Sequence, residues 1–197
     1  MPDKPHSAAC ERNRDPILTV LRRHFADRRR VLEIGSGTGQ HAVHFAAGLP
    51  HLVWQATDRR ESHDGIRAWL EEAALPNTPL PLVLDVRGPW PRQRYDAVFT
   101  ANTLHIMSWA EVQTTFAQLP DVMTADAKLA VYGPFNYGGR FTSASNEQFQ
   151  AVLKGWGAHM GIRDFEAVDA LARHAGLRLV EDCAMPANNR CLVWQCG

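Results

Sequence analysis

The chain has 197 residues, with 21 Lys and Arg against 21 Asp and Glu, and a formal net charge of zero; that balance excludes a global electrostatic footprint for nucleic acid or an anionic membrane. At this length it forms one domain over residues 1–197, with 1–14 as an N-terminal arm, and buries about 70% of its unfolded surface without staples. No apolar run reaches membrane-spanning length, and the polar N-terminus lacks a signal-peptide core. The four cysteines (Cys10, Cys183, Cys191, Cys196) have no zinc-like spacing, so a reduced, cytoplasmic protein with free thiols and no metal is expected.

Asn13 or Asp15 is placed to cap a helix whose first position is Pro16, where a missing N–H costs nothing. Ile17, Leu18, Leu21 and Phe25 continue it at helical spacing. Arg22, Arg23, Arg28, Arg29 and Arg30 follow, and read as solvated cations near a helix C-terminus. Residues 31–34 form an apolar run typical of a parallel strand covered on both faces. A glycine-rich turn and a helix over 40–49 come next. A second strand over 51–57 ends at Asp58, and a helix spans 61–74. A third strand over 80–84 ends at Asp85, and a fourth covers 95–100. Ser108 and Glu111 have the spacing of a capping box that opens a helix to about residue 119.

The fifth strand covers 128–132. Residues 133–146 read as a glycine- and aromatic-bearing loop, followed by a helix over 147–154. Asp164 caps a further helix that Gly176 stops. Strands over 177–185 and 191–195, joined by Pro186-Ala187-Asn188-Asn189, form an antiparallel hairpin. The βα alternation predicts an α/β fold: a doubly wound, Rossmann-like sheet of seven strands, mostly parallel, with that hairpin at its C-terminal end.

The stretch Glu33-Ile34-Gly35-Ser36-Gly37-Thr38-Gly39 carries the functional signal. Gly35 and Gly37 permit a sharp turn and a close ligand approach, and Gly39 permits tight packing of the following helix on the strand. The helix N-terminus offers free N–H groups to a ligand. No Gly-Lys-Ser/Thr is present, so this is no P-loop, and the spacing is not the G-x-G-x-x-G of dinucleotide folds. The E-x-G-x-G-x-G form resembles motif I of the class I S-adenosylmethionine (SAM) methyltransferases. That resemblance implies that Glu33 helps hold the ammonium group of SAM, with Gly35, Ser36, Gly37 and Gly39 against its amino-acid and ribose portion.

Ligands of open α/β sheets bind outside the carboxyl ends of the strands. Asp58, about twenty residues after the loop, can accept both ribose hydroxyl hydrogens. The resemblance further implies that Asp85 and the Val86 N–H meet the adenine amino group, and that Asn102 and His105 face the methyl donor and substrate as candidate catalytic residues. His105 is the natural candidate if a base is needed. The alternative for each Asp is an N-cap, and for His105 a core hydrogen bond.

After the fourth strand the sequence reads Ala101-Asn102-Thr103-Leu104-His105. It lacks the Asn/Asp-Pro-Pro-aromatic motif of base-amine methylases, and no Pro-Cys nucleophile occurs. A small-molecule acceptor is expected, enclosed by Phe135, Asn136, Tyr137, Arg140 and Phe141 as a lid. The segments Glu11-Arg12-Asn13-Arg14-Asp15-Pro16-Ile17 and Tyr132-Gly133-Pro134-Phe135 resemble those of a methyltransferase-like family, a domain of unknown function. This implies that Glu11, Arg12 and Asn13 close over the site, Arg12 and Asn13 toward the substrate. Two other readings compete: a nicotinamide oxidoreductase, for which no Tyr-x-x-x-Lys pair exists, and a SAM-binding partner protein without activity.

Overall fold

Why the first strand is buried on both faces is written in its alternation. In the computed structural model, which describes residues 4–197, β1 (Arg30–Ile34) sends Val31 into one apolar core and Leu32 into another. The first core packs under α1 (Ala8–His24), α2 (Gln40–Gly48) and α3 (His63–Ala73), through Ile17, Leu21, Phe45 and Ile66. The second packs under α4 (Trp109–Val122) and α6 (Phe165–His174), through Phe116, Leu119 and Val168. Phe45, Trp54 and Phe99 meet at ring-centroid distances of 5.2–5.7 Å. Truncating Phe45 to Ala there would cost about 3–5 kcal/mol.

The sheet is completed by β2 (Val53–Asp58), β3 (Leu82–Val83), β4 (Tyr95–Ala101), β5 (Met123–Gly133), β8 (Leu177–Met185) and β9 (Asn189–Cys196), in the order β3-β2-β1-β4-β5-β9-β8. The pairs from β3 to β5 are parallel, and β9 is antiparallel to both β5 and β8. The expected doubly wound sheet of seven strands with a C-terminal hairpin is therefore the observed fold. The order reverses between β1 and β4, and that switch point is where a crevice opens. Ser108 and Glu111 form the expected reciprocal cap of α4.

Four local expectations are corrected. The first helix begins at Ala8 rather than at Pro16. Ser7 is its N-cap, its Oγ accepting the Cys10 N–H at 3.4 Å, and Pro16 lies inside the helix, where it deprives the Arg12 carbonyl of a donor. Tertiary bonds hold this turn in place: the Ser7 N–H donates to Gln40 Oε1 at 2.5 Å and the Trp69 indole to the Pro5 carbonyl at 2.7 Å. The third strand keeps two residues only. Residues 133–146 are not an open loop: β6 (Phe135–Asn136) pairs in parallel with β7 (Arg163–Asp164), and α5 (Ala144–Trp156) begins at the Ser143 cap. Of the arginine cluster, Arg28 is buried and bridges Asp27 and Asp126. That contact pulls its pKa up and holds the Asp27 carboxyl down at about 2.

Candidate functional site

The end of β1 is held from both sides before its loop begins. Thr57 Oγ1 donates to the Glu33 carbonyl at 2.6 Å, and Thr100 Oγ1 to the Ile34 carbonyl at 2.8 Å. The chain then turns through Gly35 (φ +73°), Gly37 (φ +57°) and Gly39 (φ +91°), backbone conformations that favour glycine. A Cβ on Gly35 would lie 2.9 Å from the Thr103 side chain, and one on Gly39 would lie 3.0 Å from the Ile66 backbone. A Cβ on Gly37 would meet nothing within 4 Å. That open space belongs to a cavity of about 1120 Å³ above the ends of β1, β2 and β4, where Gly35, Ser36 and Gly37 form part of the wall.

Glu33 is beneath this loop rather than in the cavity wall. It is 2% exposed, and its Oε2 accepts the Trp54 indole N–H and the Ser36 hydroxyl, both at 2.9 Å. Burial pushes its pKa up to about 7. In this structure the Glu33 carboxyl holds Ser36, and Ser36 Oγ in turn accepts the Thr57 N–H at 3.1 Å.

Asp58 lies on the cavity wall. Its Oδ2 accepts the Gly37 N–H and its Oδ1 the Arg59 N–H, each at 2.7 Å. A carboxylate has about four acceptor sites, so two remain for a ligand. Asp85 and Val86 line the same wall. Asp85 accepts the Arg87 N–H at 2.9 Å and the Arg87 guanidinium at 3.1–3.2 Å, which holds its carboxyl below the usual range. Asn102 adopts φ +57° where β4 ends, anchored by its N–H on the Tyr132 carbonyl at 2.9 Å, and its carboxamide makes no hydrogen bond among the described residues. His105, 6% exposed, lines the cavity further along, and burial drives its pKa down to about 4.

The wall around His105 was not foreseen. Phe149 and Trp156 of α5, with His159 and Met160 after it, complete the cavity. Arg163 ties that segment to the end of β4: its guanidinium donates to the carbonyls of Leu104 at 2.9 Å, His159 at 3.2 Å, and Met107. The Gly161 N–H donates to the His105 carbonyl at 2.9 Å. The sequence signal was the apolar spacing Phe149, Val152, Trp156 on one helix face, which reads as core until the exposure of Trp156 and Val152 is seen.

The N-terminal helix closes the remaining side, with Ser7, Cys10 and Arg12 on the wall. Arg12 makes no ion pair or side-chain hydrogen bond among the described residues, whereas Glu11 pairs with Arg14 at 2.7 Å and accepts from Gln40 at 2.9 Å. Asn13 is buried, and its Oδ1 accepts His41 Nε2–H at 2.7 Å. His41 Nδ1 then faces Cys10 Sγ at 3.9 Å. Burial raises the thiol pKa and lowers that of His41 to about 4, so the pair is neutral. Asn13 therefore positions His41 and is not part of the cavity wall.

The expected lid does not reach the cavity. Tyr137 stacks on Phe165 at 5.2 Å and donates to Asp182 Oδ2 at 2.7 Å, beside the Arg190–Asp182 ion pair. Arg140 is exposed, and its backbone closes a tight turn with Tyr137. Asn136 is buried in β6 and outside the cavity wall. Of the aromatics in this stretch, Phe135 is buried in the second core, Tyr137 packs on Phe165 and the C-terminal hairpin, and Phe141 is exposed. Among the described residues no cluster of His, Cys, Asp and Glu is arranged to hold a metal ion, and no helix is long and apolar enough to cross a membrane.

Comparisons with known proteins bear on this geometry. Residues 4–196 match the model of a family described as a protein of unknown function (DUF938). Among solved structures, the chain is similar to the S-adenosylmethionine-dependent methyltransferase SibL in its apo form: TM-score 0.82 and 21% identity over 95% of this chain and 55% of that one. An O-methyltransferase family protein from Burkholderia thailandensis gives a TM-score of 0.78 at 18% identity, covering 92% of this chain and 55% of the other. The mitomycin 7-O-methyltransferase MmcR gives 0.78 at 19%, covering 88% and 50%. The chain spans about half the length of these proteins. At such identities the likeness is one of fold.

Proposed function

The chain belongs to the DUF938 family, and we propose that it is a SAM-dependent methyltransferase acting on a small molecule at an N, O or S acceptor atom. One observation carries the reading: open space above Gly37, beside an Asp58 carboxylate with acceptor sites to spare. The residues fit a sulfonium nucleoside. The φ +57° at Gly37 lets its backbone approach a ligand without a Cβ, and Asp58 offers two acceptors to a ribose diol. Asp85 and Val86 line the same wall and are the residues assigned to the adenine edge, and the Asn102 carboxamide has no partner of its own among the described residues.

SAM, when bound, supplies a methyl group already activated by its sulfonium. The task left to the chain is to orient the acceptor, and positioning can supply much of the rate. His105 is neutral near pH 7 and can accept a hydrogen bond from the acceptor. Its pKa of about 4 makes it a poor base. Taking a proton from a phenol-like group with a pKa near 10 would be uphill by about 8 kcal/mol. Its role is to hold the acceptor atom, with proton loss following transfer.

The nicotinamide alternative has no specific observation behind it. The test is methyl transfer. Protein given radiolabelled SAM and a metabolite extract should label a small molecule, and Gly37→Arg protein should not. Labelling confined to nucleic acid or protein, or SAM binding without any transfer, would contradict the proposal.

A further inference from the structure

Three rings run in series from the strand end to the cavity mouth. His105 lies edge-on to Phe149 at 5.5 Å and 76°, and Phe149 edge-on to Trp156 at 6.3 Å and 84°. All three line the cavity, yet Trp156 is 64% exposed. An indole left in water along a cavity wall is apolar surface that a ligand would cover. The His105 ring is buried and takes no hydrogen bond from any described residue, so one of its nitrogens is available to a ligand that brings a donor.

The two halves of the cavity differ in charge. The charged residues of the wall, Arg12, Asp58, Arg59, Asp85 and Glu111, belong to α1, to the strand ends and to α4. The half built by α5 and the segment after it presents Ser145, Asn146, Phe149, Trp156, His159 and Met160, with no Asp, Glu, Lys or Arg. Its volume is also in excess: a single drug-sized ligand needs about 300–1,000 Å³, against the 1120 Å³ present. The wall is fixed before any ligand arrives. Arg163 holds three carbonyls, and the Ile162 N–H donates to Gln150 Oε1 at 2.8 Å. Such preorganisation favours a rigid occupant.

Resting on the methyltransferase reading, we propose that the acceptor is a planar aromatic molecule bearing a hydrogen-bond donor, its ring against Phe149 and Trp156 and its donor on His105. A flat ring adds quadrupole attraction to the area it buries on this series, whereas an aliphatic body adds area alone.

The probes are 2-naphthol, its saturated twin 2-decalol, and 2-methoxynaphthalene, which lacks the donor. Each is measured by equilibrium dialysis against protein saturated with S-adenosylhomocysteine. 2-Naphthol should bind most tightly, and Trp156→Ala should weaken it about three- to tenfold while leaving S-adenosylhomocysteine affinity unchanged. Trp156→Phe should restore most of the loss. Equal binding of 2-decalol, or a Trp156→Ala protein that binds 2-naphthol as wild type does, would overturn the proposal and leave the methyltransferase reading standing. Failure of S-adenosylhomocysteine itself to bind would remove both.

Discussion

The Gly37 N–H donates to Asp58 Oδ2 at 2.7 Å, so the loop after the first strand and the end of the second are one rigid unit. Two further bonds, from the Gly35 and Ser36 N–H groups to the Thr57 carbonyl at 3.1 and 2.9 Å, repeat the link. The seat for a ligand is therefore built before the ligand arrives, and its shape depends on Gly37 keeping φ +57°.

Gly37→Val tests that shape. Strain at a left-handed position costs about 1–3 kcal/mol for such a residue, but the new side chain points into open space, so the fold should survive. S-Adenosylhomocysteine affinity should fall by more than tenfold, read by calorimetry, while thermal melting records only a modest loss. Retained affinity would mean that the ligand does not approach this backbone.

Glu33 and the two buried histidines give opposite pH slopes. The Glu33 pKa rises from 4.5 to about 7 on folding. Between those values the folded chain keeps a proton that the unfolded chain has released. This contribution to stability is fully present below about pH 4.5 and is lost as pH rises through 7. His41 and His105 fall from 6.5 to about 4, so theirs is present above about pH 6.5 and is lost as pH falls toward 4. Each is worth roughly 3 kcal/mol across its window. Glu33→Gln removes the first slope, so its urea midpoint should climb with pH from 4.5 to 7 more steeply than wild type. Parallel profiles would contradict a buried, titrating Glu33.

Arg163→Lys should loosen the far wall alone. One ammonium does not match a planar fork spread over the carbonyls of Leu104, Met107 and His159. A loss of about 1–2 kcal/mol, which lowers the melting temperature by about 2–8 °C in a chain of this length, is expected. S-Adenosylhomocysteine binding should be unchanged and methyl transfer reduced. Loss of nucleoside binding would show that the two halves are coupled.

Much of the strand-end half was legible because its residues answer local demands. Positive φ at Gly35, Gly37 and Gly39 needs glycine whatever the partner, Asp58 ends β2, and Asp85 follows β3 by two residues. The role of Glu33 was not legible, because the direction of its carboxyl is set by Trp54, 21 residues away. Tyr137 and Arg140 looked like a lid because composition does not reveal Asp182 or Phe165 as partners. The start of the first helix was not legible because the Pro16 rule is local, whereas Gln40 anchors the helix N-terminus more than two turns earlier. β6 and β7, two residues each, are too short for any period to register.

The most direct test is a calorimetric titration of S-adenosylhomocysteine and of NAD(P) into wild-type and Asp58→Ala protein, each checked for fold by circular dichroism. Wild type should bind the sulfur nucleoside and neither nicotinamide. Loss of the carboxylate should weaken binding by at least about tenfold, the worth of one charge-assisted hydrogen bond. Preference for NAD(P), or undiminished binding of S-adenosylhomocysteine by Asp58→Ala, would contradict the account.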